Sequence, residues 1–424
     1  VDYPLVRRLK ARALRAAHRR FRDREVARGT ERARAFDRFC AEASGWLADL
    51  ALFRAIRDCR GGAAWSDWPE VLAERSPTAV AAAHALLEED VSFHAYAQWL
   101  GFGQWADARA AVERLGMEIM GDLPFMVGRD SADVWSNQRQ FRAGASVGTP
   151  PDVFDPRGQD WDLPPYDWAA MSADGFRWLR QRARHAASLY HRFRIDHVVG
   201  FYRTFQRPRG GAGPDGALAP GIFDPAKEPA QLEHGEAVMG AMIEAASELG
   251  ARLVAEDLGT VPDFVRASLT RLGVPGYRVL VWEKDDTVFR DPKAYPALSV
   301  ACFGTHDTPP IRAWWEALTP PERAAVTRVL PGDGQALAGE PSFAPAVQSA
   351  LLEAIAGSGS ELSLLLVQDV LASLDRINTP GTVAATNWSY RLPKPVEDLA
   401  GDAGITEMVA RVRAALDAHG RSGR

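Results

Sequence analysis

The chain has 424 residues and a formal net charge of −5, so it presents no global basic field to draw it to nucleic acid or anionic membrane. No run approaches the ~20 apolar residues of a membrane span, and the arginine-bearing N-terminus lacks the apolar core of a signal peptide. Cys40, Cys59 and Cys302 are too few and too scattered for a disulfide framework, so the expected compartment is the cytoplasm. There are 13 tryptophans, and flat amphipathic rings of this kind either fill cores or lie against sugar faces.

Residues 1–115 are predicted to be a helical subdomain without a strong strand. Arginines alternate with apolar residues at helical spacing from Val6 to Phe21, and the pattern returns over 47–56, 80–87 and 105–115. From Gly116 the texture changes. Short apolar runs over 117–122, 193–197, 252–257, 277–283, 298–304 and 362–367 each end in polar functional groups, with helix-like stretches between them. Continuous apolar runs suit strands buried on both faces, and strand–helix alternation implies parallel pairing. Catalytic groups of parallel barrels stand at C-terminal strand ends, where the following loops converge. The expectation is an α/β fold of (β/α)₈ TIM-barrel type over 116–424, with a loop insertion over 128–170. An open doubly wound sheet would alternate in the same way, but no G-x-G-x-x-G follows an early strand. Residues 206–230, rich in Gly and Pro, are expected to form a mobile loop or lid.

Asp196, Glu256 and Asp307 each follow a strand-like run, 60 and 51 residues apart (256 − 196 and 307 − 256), which places them on different strands of one mouth. Glycoside cleavage needs two carboxyls flanking the scissile bond, about 5 Å apart when configuration is retained. The acid needs a raised pKa and the nucleophile must stay ionised. Arg194 shares a strand face with Asp196 and is placed to keep that carboxylate charged, whereas Glu256 has an apolar flank suited to an acid. Two other readings stand beside this one. Acidic residues at strand ends can cap the following helices, and Asp196, His197, Glu256, Asp257, His306 and Asp307 together could make a metal site.

Ordered motifs over 93–393 resemble the amylomaltase or 4-α-glucanotransferase family (glycoside hydrolase family 77). They include Gly121-Asp122-Leu123-Pro124 with Asp133-Val134-Trp135, and Gly148-Thr149-Pro150-Pro151-Asp152 leading to Asp160-Trp161-Asp162. Arg194-Ile195-Asp196-His197, Ala255-Glu256-Asp257-Leu258-Gly259 and Gly304-Thr305-His306-Asp307 follow. Gln368-Asp369, Asn378-Thr379-Pro380-Gly381-Thr382 and Asn387-Trp388 close the series. The resemblance implies Asp196 as nucleophile, Glu256 as general acid/base and Asp307 as transition-state stabiliser. It assigns sugar binding to Arg194, His306, Asp152, Trp161, Asn387 and Trp282, and a loop-holding role to Asp122, Asp133 and Trp135. Family members use no metal or organic cofactor. The implied substrates are maltodextrin, glycogen or starch-type α-1,4-glucan, with glucose or maltose as acceptor. The implied activity is segment transfer through a covalent glucosyl–Asp intermediate. Hydrolysis by the same carboxylates and inactive glucan binding are the alternatives. Full-length members begin with two barrel strands and a Ser-Pro-Tyr-type segment not found here, so the barrel is expected to lack strands at its N-terminal side.

Overall fold

The computed structural model describes residues 1–151, 156–211, 213 and 218–421. It forms two compact units, residues 1–193 with 199–252, and residues 194–198 with 253–424.

The first unit opens with six helices, α1 (Tyr3–Arg24), α2 (Glu31–Glu42), α3 (Leu47–Cys59), α4 (Glu70–Ala73), α5 (Pro77–Leu86) and α6 (Glu88–Arg114). Asp2 caps α1 by accepting the Leu5 N–H at 2.9 Å, and Thr30 caps α2 through the Ala33 N–H. Their apolar stripes meet in an aromatic cluster of Phe21, Phe36, Tyr96 and Trp99, beside a second one of Phe53, Trp68 and Trp135. Each such ring taken out of water stabilises by roughly 1.5–3 kcal/mol. Trp135 lies on α7 (Ala132–Ser136), beyond β1 (Met120–Leu123). Its ring is fully buried, its Nε1 donates to Leu72 O, and the Arg75 guanidinium lies 4.2 Å from its centroid.

Residues 128–170 carry more regular structure than their sequence announces. β2 (Ala145–Thr149), β3 (Gln159–Leu163) and α8 (Trp168–Ala173) follow α7. After α9 (Arg177–Leu189) and β4 (Arg192–Ile195) come β5 (Thr204–Pro208) and β6 (Ile222–Asp224). An antiparallel sheet runs in the order β3-β2-β5-β6, so the expected 206–230 lid begins in β5, contains β6 and ends in the first turn of the following helix. Part of that expected lid, residues 212 and 214–217, lies outside the described residues. These strands are short and polar and pair with partners distant in sequence, so local periodicity carried no sign of them. α10 (Glu228–Ser247) packs along α9.

The second unit is built on the C-terminal end of β4 with β7 (Arg252–Ala255), α11 (Asp263–Arg271), β8 (Gly276–Val279), the β9–β10 hairpin (Lys284–Asp285, Val288–Phe289), β11 (Ser299–Cys302) and α12 (Ile311–Ala317). It continues with α13 (Pro320–Thr327), α14 (Pro345–Ala356), β12 (Leu362–Leu364), α15 (Val367–Val370), α16 (Val396–Leu399) and α17 (Ala403–Ala418). The main sheet has the order β1-β4-β7-β8-β11-β12, and β7–β8, β8–β11 and β11–β12 pair in parallel. Each of the six predicted apolar runs therefore contributes a strand to this sheet, whose end members are β1 and β12. β11 is buried along its whole length, the mark of a strand covered on both faces. Among the described residues no helix is long and apolar enough to cross a membrane.

Candidate active site

Seven of the nine predicted site residues belong to the second unit, at the C-terminal ends of its strands or in the loops beyond. Asp196 follows β4 directly, and an Arg194 guanidinium nitrogen donates to its Oδ1 at 2.9 Å. The period-2 geometry of a strand puts both side chains on one face, as their spacing predicted. Glu256 follows β7. Its backbone N–H bonds to Ile195 O at 2.9 Å, so the two carboxylate-bearing strand ends lie side by side.

His197 turns the chain immediately after Asp196. It adopts φ +45°, a left-handed conformation that costs a non-glycine residue energy and persists only where its surroundings impose it. The turn aims the His197 N–H at Glu256 Oε2, 2.7 Å away, and the Val198 N–H at Glu256 O. Burial, aided by the nearby Asp196 charge, pushes the Glu256 carboxyl up to about 7, against the opposing pull of the His197 N–H and of Arg194. At neutral pH this carboxyl is poised to give or take a proton. Burial pushes the His197 imidazole down to about 4, so the ring is neutral there.

The next residue, Asp257, is nearly inaccessible. It accepts the Tyr277 N–H at 2.6 Å, with Arg266 and Arg278 at 3.4 and 3.5 Å, and burial raises its pKa. A Cβ on Gly276 would come within 2.6 Å of this carboxylate, so any other residue there would push Asp257 out of place. Asp257 thereby locks the end of β7 to β8 and fixes the neighbouring Glu256.

Asp307 lies beyond β11, in a turn closed by Thr305 and Thr308. Its Oδ1 accepts the Asn378 side-chain amide at 2.6 Å and its Oδ2 lies 3.3 Å from His306 Nε2. Burial alone would raise its pKa, but the bonds from His306 and Asn378, with the charge of Arg194, hold the carboxyl below the ordinary aspartate value. The same arginine thus bonds to Asp196 and acts electrostatically on both Glu256 and Asp307.

A strap over 376–388 is fastened to this turn. Arg376 donates to Asp307 O at 2.5 Å, Asn378 N to His306 O, and Trp388 N to Ile377 O. Asn387 accepts the Thr379 N–H and donates to Thr382 O and Oγ1, so its amide knits the strap together. Asn378, Arg376 and Trp388 were not among the predicted site residues. Asn378 and Trp388 stood in the Asn378-to-Thr382 and Asn387-Trp388 motifs and Arg376 in none, and nothing in local sequence links them to Asp307, 71 residues from Asn378.

Trp282, beyond β8, is half exposed. Trp161 lies on β3 in the first unit, its Nε1 donating to Gln159 Oε1 at 2.9 Å. Asp152 lies outside the described residues. Among the described residues, no three or more His, Cys, Asp or Glu side chains gather as a metal-binding group.

An α/β sheet of barrel type that presents a protonatable glutamate beside an arginine-paired aspartate, with a third carboxylate beyond a further strand, has the two unlike carboxyls of the glycosidic-bond enzyme class. A family model described as 4-alpha-glucanotransferase matches residues 1–397. A 4-alpha-glucanotransferase of Thermus thermophilus is 35% identical over 92% of this chain and 77% of its own length. One from Synechocystis sp. is 32% identical over 97% of this chain and 79% of its own. The structure of the amylomaltase from Streptococcus agalactiae in complex with acarbose superimposes with a TM-score of 0.81 at 26% identity, covering 100% of this chain and 80% of that one. The chain belongs to the 4-alpha-glucanotransferase family.

Proposed function

We propose that the protein moves α-1,4-glucan segments by a retaining double displacement. An Asp196 oxygen attacks the anomeric carbon while Glu256, protonated, donates its proton to the departing glycosidic oxygen. The C1–O4 bond breaks and a covalent glucosyl–Asp196 ester forms. Glu256, now a carboxylate, takes the proton of an acceptor sugar hydroxyl. That oxygen attacks C1 and releases Asp196. Asp307, held ionised by Asn378 and His306, stabilises the positive charge that develops on the sugar ring and binds its hydroxyls. Arg194 and His306 contact the ring beside the cleaved bond, and Trp282 contacts a neighbouring unit. Roles for Asp152, Trp161 and Asn387 as contacts to flanking glucose units rest on their motifs.

The observation that carries this reading is the division between two neighbouring carboxyls. Glu256 is pushed up to about 7 by burial and by Asp196, while Asp196 is paired with Arg194 at 2.9 Å. Different surroundings give two carboxyls the two roles the chemistry needs. Family membership supports substrates of the maltodextrin, glycogen or starch class, with glucose or maltose as acceptor, and the few scattered cysteines support action in the cytoplasm.

Incubation with maltotriose tests the reading. A ladder of longer maltodextrins plus glucose is the expected result. Glucose and maltose alone would assign hydrolysis, with water in place of the acceptor, and unchanged maltotriose would leave binding without catalysis.

A further inference from the structure

Of the 13 tryptophans, Trp282 and Trp388 are the two exposed ones, and the rest are buried or half-buried. Both stand in loops beyond strand ends of the second unit. Trp388 is 62% exposed although it adopts φ +59°, a left-handed conformation unfavourable to a bulky side chain. A residue is held that way only when its surroundings enforce it. Here they do: the Trp388 N–H is tied to Ile377 O, the adjacent Asn387 amide bonds to Thr379 and Thr382, and Asn378 and Arg376 anchor the strap to His306 and Asp307. The indole centroid lies 5.2 Å from that of the His306 imidazole, with the planes at 41°. Strain and a set of hydrogen bonds thus hold this large apolar side chain against His306, next to Asp307, with more than half of it left in solvent.

We infer that Trp388 is a sugar-stacking residue, whose indole covers the C–H face of the glucose unit adjoining the cleaved bond while His306 and Asp307 bond to hydroxyls at its edge. This rests on the glucan-transfer reading above. A hexopyranose is polar around its rim and apolar on its faces, so covering one face with an aromatic ring removes apolar area from water without stranding a hydroxyl. Trp388 then sets affinity for the glucan, and the carboxylates supply the chemistry.

The test compares wild type, Trp388→Ala and Trp388→Phe in maltotriose turnover and in calorimetric titration with maltotriose. The expected result for Trp388→Ala is a rise of about tenfold in KM and in Kd with kcat within about twofold, and the Phe variant recovers most of the loss. A fall in kcat at unchanged KM and Kd would make Trp388 a mere prop for His306 and overturns the stacking role, as do unchanged constants. If wild type binds maltotriose without turning it over, the transfer reading fails, and the Kd comparison still decides the stacking role. A wild type that neither binds nor turns over maltotriose overturns both.

Discussion

The His197 N–H donates to Glu256 Oε2 at 2.7 Å, so the backbone of the residue after Asp196 reaches the neighbouring carboxyl. This bond favours the ionised form of Glu256, yet burial and the Asp196 charge outweigh it and the carboxyl is pushed up to about 7. An acid in that position must hold its proton, and the protonated fraction falls as pH rises through its pKa. kcat/KM for maltotriose is therefore expected to decline tenfold per pH unit above about 7. Arg194→Gln removes a positive charge that lowers this pKa and should move the alkaline limb to higher pH. A profile flat from pH 6 to 9 would sink the assignment of Glu256 as the acid.

Asp196→Asn keeps the size of the side chain and removes the nucleophile. Maltotriose disproportionation should fall by at least about 10³-fold, the scale seen when a covalent nucleophile is lost. The thermal midpoint should change little, because Asp196 is part-exposed and its ion pair with Arg194 contributes modestly. Near-wild-type turnover in this variant would remove Asp196 from the mechanism.

Asn378 donates to Asp307 Oδ1 at 2.6 Å, and hydrogen bonds to charged groups contribute roughly 1.5–3 kcal/mol. Asn378→Ala should lower kcat/KM by about 10- to 100-fold and raise the pKa of Asp307, extending the acidic limb of the pH profile upward. Titration of Asp307 by carboxyl NMR reads the shift directly. An unmoved Asp307 pKa would mean that the bond does not govern the charge of that carboxylate.

Asp369, almost wholly buried on α15, accepts the Ile311 N–H at the start of α12 at 2.8 Å, and burial pushes its carboxyl up to about 6. A carboxyl whose pKa is higher in the folded state binds protons more tightly there than in the unfolded chain. Its contribution to stability is full below the unfolded value near 4 and is lost as pH rises through about 6. Asp369→Asn can still accept the Ile311 N–H but cannot ionise. Its thermal midpoint should therefore fall less than that of wild type between pH 4 and pH 7. Parallel curves for the two proteins would show that Asp369 titrates at an ordinary value.

Much of the site was legible in the linear chain, for a physical reason. In a parallel sheet each buried strand is an apolar run and each functional group follows its C-terminal end, so Asp196, Glu256 and Asp307 announce themselves by position. The Arg194–Asp196 pairing was equally readable, because two residues two apart on a strand share a face whatever the rest of the fold does. What surrounds those groups is decided by contacts distant in sequence. The strained turn at His197 that reaches Glu256, the Asp257 lock against Gly276 and Tyr277, and the antiparallel sheet formed by 145–149, 159–163, 204–208 and 222–224 leave no local period to read. The strap over 376–388 is the clearest case. Its residues appeared in the sequence as motif letters, and only folding brought Asn378 against Asp307 and Trp388 against His306. Strand and helix patterns are written in neighbours a few residues apart, whereas the protonation state of a carboxyl depends on burial and on partners that tertiary structure alone supplies.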